Sequence, residues 1–152
     1  MTSRPPIVVA ALLLALSCAS EPYPSLGGTW EYASSLTYPS DFDISPTQPY
    51  VCTYQAALTL AQSGGTFSGT YDSLTISCNS GSVSSGNTGA VLAGVLSKSG
   101  ILSFTFDTPN WVSVGTLHGD SMGGSVTDSV VGLPGMELAS GTWSACKGRI
   151  CE

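Results

Sequence analysis

Apolar and polar residues alternate one for one along much of this chain. Leu58 and Leu60 alternate with Thr59 and Ala61, and Phe67, Gly69 and Tyr71 resume an alternating face after Ser63-Gly64-Gly65. A period of two sends successive side chains to opposite faces, so each run predicts a strand with one buried face. Glycine accepts the positive φ values of a tight reversal, so Ser63-Gly64-Gly65 predicts a hairpin turn.

The same grammar recurs from end to end. Leu26–Tyr38 opens the domain as a strand, and Pro39–Pro49 is a proline-rich loop. Val51–Gln62 and Thr66–Cys78 form the opening hairpin, and Asn79–Asn87, rich in Ser and Gly, reads as a flexible connection. Thr88–Ser97 and Ile101–Asp107 pair across Lys98-Ser99-Gly100, with Leu102, Phe104 and Phe106 on one face. A turn at Thr108-Pro109-Asn110 leads into Trp111–Leu117, which pairs with Met122–Thr127 across Gly119-Asp120. After a looser loop over Asp128–Gly135, Leu138–Lys147 is the last strand. The expectation is eight strands and no helix.

A weak motif runs through these strands: Gly, a small or β-branched residue, then an apolar one. It occurs as Gly28-Thr29-Trp30, Gly69-Thr70-Tyr71, Gly94-Val95-Leu96, Gly115-Thr116-Leu117, Gly124-Ser125-Val126 and Gly141-Thr142-Trp143. Glycine inside a strand marks a bend or a close backbone approach, and repeated bends are what a small barrel needs to close. The first and last strands both carry Gly-Thr-Trp, which reads as a closure seam with Trp30 and Trp143 buried near one another. The predicted fold is all-β, an eight-stranded antiparallel up-and-down barrel over residues 26–152, in which closure removes the exposed edges of an open sheet.

Composition and charge narrow the setting. The chain has 152 residues, the size of one domain, and only 9% are charged. Ten acids against four bases give a net charge of −6. Binding phosphates takes clustered Lys and Arg, so nucleic acid and anionic membrane surfaces are poor partners.

The N-terminus carries a targeting pattern. Arg4 precedes an apolar run, Ile7–Leu16, of ten residues, shorter than the roughly 20 that span a bilayer as a helix. Met1–Ser17 is therefore expected to be a signal peptide. Ala15-Leu16-Ser17-Cys18 resembles the lipobox of bacterial lipoproteins, although Ala15 stands where Leu, Val or Ile is usual. The resemblance implies that Cys18 is lipidated and becomes the mature N-terminus, with residues 18–25 as a tether containing Pro22 and Pro24. The alternative is an ordinary secretory signal cleaved near Ala19. The expected location is the bacterial cell envelope, reached by export, with membrane attachment through the N-terminal lipid.

Cysteine arithmetic fits that location. With Cys18 acylated, Cys52, Cys78, Cys146 and Cys151 remain, an even number with three possible pairings. Register selects among them. Pairing Leu60 with Phe67, Leu58 with Gly69 and Ala56 with Tyr71 is followed by a change of apolar parity to Leu74, Ile76 and Cys78, which predicts a bulge near Asp72-Ser73. Tyr54 then meets Ile76 and Cys52 meets Cys78, leaving Cys146 to pair with Cys151. The rival reading, a zinc site, matches no structural spacing.

No catalytic set stands out. His118 is the only histidine, Gly-x-Ser-x-Gly is absent, and Asp107 and Asp120 lie at strand ends among ten scattered acids. Asp41-Phe42-Asp43 supplies too few oxygens for a Ca²⁺ loop. The expectation is a protein that is not an enzyme and uses no metal or cofactor.

The barrel pattern resembles the calycins, the architecture of lipocalins and avidins. Gly28-Thr29-Trp30 is similar to the Gly-x-Trp of the first lipocalin strand, while the remaining lipocalin signature is absent. Leu26–Tyr32 and Gly65–Ser73 are similar to streptavidin, with Glu31-Tyr32-Ala33 where avidins carry an Asn. That likeness implies biotin contacts at Tyr71 and Ser73. As a whole the chain looks like the small lipocalin-like barrel lipoproteins of bacteria. Trp30, Trp111 and Trp143 read first as core anchors; on the functional reading Trp111 and Tyr71 line the barrel mouth, where small barrels hold ligands. The leading expectation is a binding module for a small, partly apolar molecule; the alternative is a protein-binding envelope component or enzyme inhibitor. An open apolar cavity favours the first, and a barrel filled by its own aromatics favours the second.

Overall fold

The computed structural model describes residues 22–39, 50–79, 81, 83–107, 111–129 and 137–151. The leader Met1–Ser17, Cys18, the Asp41 and Asp43 loop and the Thr108-Pro109-Asn110 turn lie outside the described residues. Eight strands follow in chain order: β1 Gly28–Tyr38, β2 Tyr50–Ser63, β3 Thr66–Cys78, β4 Val83–Leu96, β5 Ile101–Phe106, β6 Trp111–His118, β7 Ser121–Ser129 and β8 Glu137–Lys147. Each pairs antiparallel with its sequence neighbour, and β8 returns to β1, closing an up-and-down barrel consistent with a calycin-like fold.

Alternation dictates which side chains fill it. Along β2, Cys52, Tyr54, Ala56, Leu58 and Leu60 are buried, whereas Thr53, Gln55 and Thr59 are exposed. The interior is aromatic: Phe104 packs edge-on against Phe67, Phe106 and Trp143, and Tyr32 stacks on Trp143 at 5.9 Å. Such rings bury large apolar areas and dominate a small core.

The glycine motif has a steric cause. A Cβ on Gly69, Gly94, Gly115, Gly124 or Gly141 would run into a backbone carbonyl of the adjacent strand, respectively that of Thr59, Phe67, Gly123, Val114 and Ser35. These strands approach more closely than any side chain allows.

The β2–β3 register differs from the expected one near the turn. Leu60 faces Gly69, Leu58 faces Tyr71 and Gln62 faces Phe67. Gly64-Gly65 alone forms the loop, with Gly64 at φ +59 and Ser63 paired to Thr66, so the strands slide by two residues. A two-residue slide leaves every side chain on its original face. The bulge is present: Ala57 pairs with Asp72 but Gln55 with Thr75, and Ser73 sits at φ +56. Beyond it, Tyr54 meets Ile76 and Cys52 meets Cys78 as expected.

Two further differences concern β4 and the seam. β4 begins at Val83, inside the stretch read as flexible, because the far half of β3 offers backbone partners there: Ser77 to Val83, Ile76 to Ser84 and Leu74 to Asn87. At the seam, Trp30 lies opposite Lys147 and Trp143 opposite Ser34. Both tryptophans are buried, but they are not neighbours. In an antiparallel pair the start of one strand meets the end of the other, so identical tripeptides near the two chain ends are offset. Trp30 belongs to the closed end of the barrel, where its Nε1 donates to the Leu26 carbonyl at 2.8 Å and Lys147 Nζ lies 5.6 Å from its ring centre. Leu26 is fully buried there and donates its N–H to Gln62 Oε1 at 2.6 Å.

Both expected disulfides are formed, Cys52–Cys78 and Cys146–Cys151. They are compatible with an exported protein.

Candidate functional site

Opposite the plugged end lies the mouth, reached by the ends of β1, β3, β5 and β7 and the starts of β2, β4, β6 and β8. A cleft of about 370 Å³ opens there. Tyr38, Tyr54, Tyr71 and Trp111 form its aromatic walls, with Leu74 and Ile76 on β3 and Asn87 and Thr88 on β4. Phe106 packs edge-on against two of these walls, 5.3 Å from the Tyr71 ring and 5.9 Å from Trp111.

Hydrogen bonds fix the rim. Tyr38 Oη lies 3.0 Å from Tyr54 Oη and donates to Asp128 Oδ2 at 3.3 Å. Tyr71 Oη donates to Asp107 Oδ1 at 3.2 Å. Tyr54 meets Trp111 edge-on at 4.3 Å. Burial and the Tyr54 hydroxyl push the Tyr38 phenol well above the ordinary tyrosine range, and burial raises Tyr54 likewise. Both phenols are therefore neutral at physiological pH.

A second polar set lies within the barrel. The Tyr32 and Ser113 hydroxyls, Ser34 Oγ and Trp111 Nε1 are buried without a hydrogen bond of good geometry. Burial pushes the Tyr32 phenol up to about 12, while Ser34 and Ser113 beside it act in the opposite direction. Buried polar atoms without partners are costly, and Trp111 Nε1 is the one that belongs to a cleft-lining residue.

The structure brings Tyr71 and Trp111 into one cleft. Ser73, the third expected contact, is exposed on the β3 bulge and is not among the lining residues. Tyr38, Tyr54 and Asp128 were not singled out from sequence. Asp128 continues the inward parity of Met122 and Val126 and so belongs to β7, not to the following loop; extending the alternation by one step would have found it. Asp107 stands at the mouth, whereas His118 and Asp120 flank the β6–β7 turn at the plugged end, so these groups do not converge.

No protein-family model matches the chain, and no curated protein matches its sequence, so the reading of function rests on the barrel and on these residues.

Proposed function

We propose that this protein is a non-enzymatic binding module, exported and anchored through a lipid on Cys18, whose mouth cleft takes a small, partly apolar molecule. The cleft supports this reading by its chemistry: four aromatic walls and neutral phenols at the rim. Its volume of about 370 Å³ is at the small end for ligand sites, which suits a single ring or a short chain. Biotin bound in the avidin manner fits less well, because Tyr71 reaches the cleft and Ser73 does not.

Native mass spectrometry of the protein purified from its own host tests the reading. A retained small mass, lost from a folded Trp111→Phe variant, is the expected result. A second reading, a protein-binding envelope component or enzyme inhibitor, is favoured by the aromatic filling beneath the cleft. Stoichiometric recovery of a protein with an empty cleft would select it. The anchor has its own test: Cys18→Ala should move the protein from the membrane to the soluble fraction, and a wild-type N-terminus at Ser20 would refute acylation.

A further inference from the structure

The outer wall of β4–β6 is unlike the rest of a soluble barrel. Leu92, Val95, Ile101, Val112 and Val114 are 40–56% exposed. Cross-strand pairing joins them into adjacent rows: Leu92 with Thr105 and Thr105 with Val112, then Val95 with Ser103 and Ser103 with Val114. None of the residues of β4, β5 and β6 is Asp, Glu, Lys or Arg. Contiguous apolar surface of this kind marks an interaction site.

The path of the N-terminal segment says what covers it. From β1 the chain runs back across the plugged end, where Gln62 Nε2 donates to the Pro24 carbonyl at 3.0 Å. Tyr23 then packs against Gly65 of the β2–β3 turn and lies 5.8 Å below Lys98 Nζ of the β4–β5 turn. Pro22, the first described residue, is the neighbour of Tyr23 and so lies near the β4–β5 turn, which Leu96 and Ile101 flank. Only four chain steps separate Pro22 from Cys18, a reach of at most ~14 Å.

Charge placement gives the same orientation. Lys98, Lys147 and Arg149, the only cations after Arg4, all belong to the plugged end. Asp120 and Glu31 share that end, Glu31 lying opposite Cys146, and Glu21 and Glu152 lie next to it in sequence. Among the described residues the mouth half has acids and no cation: Asp72, Asp107, Asp128 and Glu137. An anionic surface therefore repels the mouth half more than the other end, where acids and bases nearly balance. The overall negative charge, which argues against a membrane partner when taken as a sum, is thus concentrated away from this wall.

We propose that the β4–β6 outer wall, entered at the Lys98 turn, is a lipid-facing surface seated on the bilayer that carries the Cys18 anchor, with the barrel lying on its side and its mouth opening laterally. The proposal rests on the acylation reading. Tyr23, Ile101 and Val95 occupy the interfacial zone beside Lys98, the mix of aromatic, aliphatic and basic side chains that bilayer interfaces favour. This contact is a second attachment that supplements the lipid.

The test uses the full-length acylated protein in phosphatidylethanolamine–phosphatidylglycerol vesicles. An environment-sensitive fluorophore is placed on Val114→Cys or, on the opposite wall, on Thr142→Cys, the native cysteines being paired or acylated. Nitroxide-labelled lipid should quench the label at 114 at least threefold more than that at 142. Equal quenching, or none at either position, in protein that floats with the vesicles overturns the seat and leaves the anchor standing. Wild-type protein that fails to float overturns both. Absent quenching together with a dimer in detergent assigns the wall to a second copy instead.

Discussion

Trp143→Ala should be the most damaging single truncation in the barrel. Trp143 is 3% exposed, stacks on Tyr32, meets Phe104 edge-on at 5.2 Å and donates Nε1–H to the Val114 carbonyl at 3.2 Å. Removing about 250 Å² of buried ring at about 25 cal/mol per Å² gives an upper figure of about 6 kcal/mol. Relaxation recovers part of it, and truncations of this type usually cost about 3–5 kcal/mol. Two aromatic pairs at about 0.5–1.5 kcal/mol each and one hydrogen bond near 1 kcal/mol place this site at the upper end. The expected loss is about 4–5 kcal/mol, against a total of about 5–15 for a domain. Urea melts followed by far-UV circular dichroism should show a midpoint lower by roughly 2–3 M, and the thermal midpoint should fall by roughly 15–20 °C. Trp143→Phe, which keeps a ring against Tyr32, should lose less than half as much. A Trp143→Ala protein that melts within about 1 kcal/mol of wild type would refute the packing argument.

Other outcomes follow from the same coordinates. Gly141→Ala drives a Cβ into the Ser35 carbonyl across the seam and should cost about 3 kcal/mol, read as a lower urea midpoint. Breaking Cys52–Cys78, whose cysteines are 26 residues apart, should cost roughly 3.5 kcal/mol by chain entropy, and breaking Cys146–Cys151, 5 apart, roughly 2; non-reducing peptide mapping should recover these two linkages and no Cys52–Cys146 peptide. The raised phenols of Tyr32, Tyr38 and Tyr54 stay protonated in the folded barrel while the unfolded chain ionises near pH 10. The folded state then holds more protons, so their stabilisation is complete below about pH 10 and is lost as pH rises through the folded values, about 12 for Tyr32. Ultraviolet titration should show those phenols ionising only with unfolding. Ser113→Ala removes a buried hydroxyl that has no hydrogen bond of good geometry and should be neutral or stabilising by up to about 1 kcal/mol in thermal melts.

The barrel was legible because alternation and glycine both report on backbone geometry. Leu58, Leu60, Leu102, Phe104 and Phe106 give the inward face directly, and the parity change after Tyr71 marks the bulge that brings Cys52 to Cys78. The slide at the β2–β3 turn was not legible, since registers two residues apart bury the same side chains and differ only in which glycines form the loop. The start of β4 was hidden because Ser84–Thr88 is held by backbone pairing to β3 and carries no apolar signal. Half of the cleft was legible. Tyr71 and Trp111 are aromatic residues near strand ends, whereas the Tyr38–Tyr54–Asp128 contact joins β1, β2 and β7 and exists only once the sheet has curled.

The seam has a kinetic consequence. Trp30 finds its cross-strand partner Lys147 more than a hundred residues later in the chain. Until β8 arrives, β1 keeps one ladder of N–H and C=O groups unpaired, and β7 does the same on its far side. Loop closure on that scale must precede the contacts that reward it, so folding belongs in the millisecond-to-second range typical of all-β topologies. A chain truncated before residue 137 retains the hairpins but leaves two long open edges, the geometry from which strand-to-strand aggregation grows. The last eleven residues of strand, β8, therefore decide whether the other seven become a closed barrel or a template for aggregation.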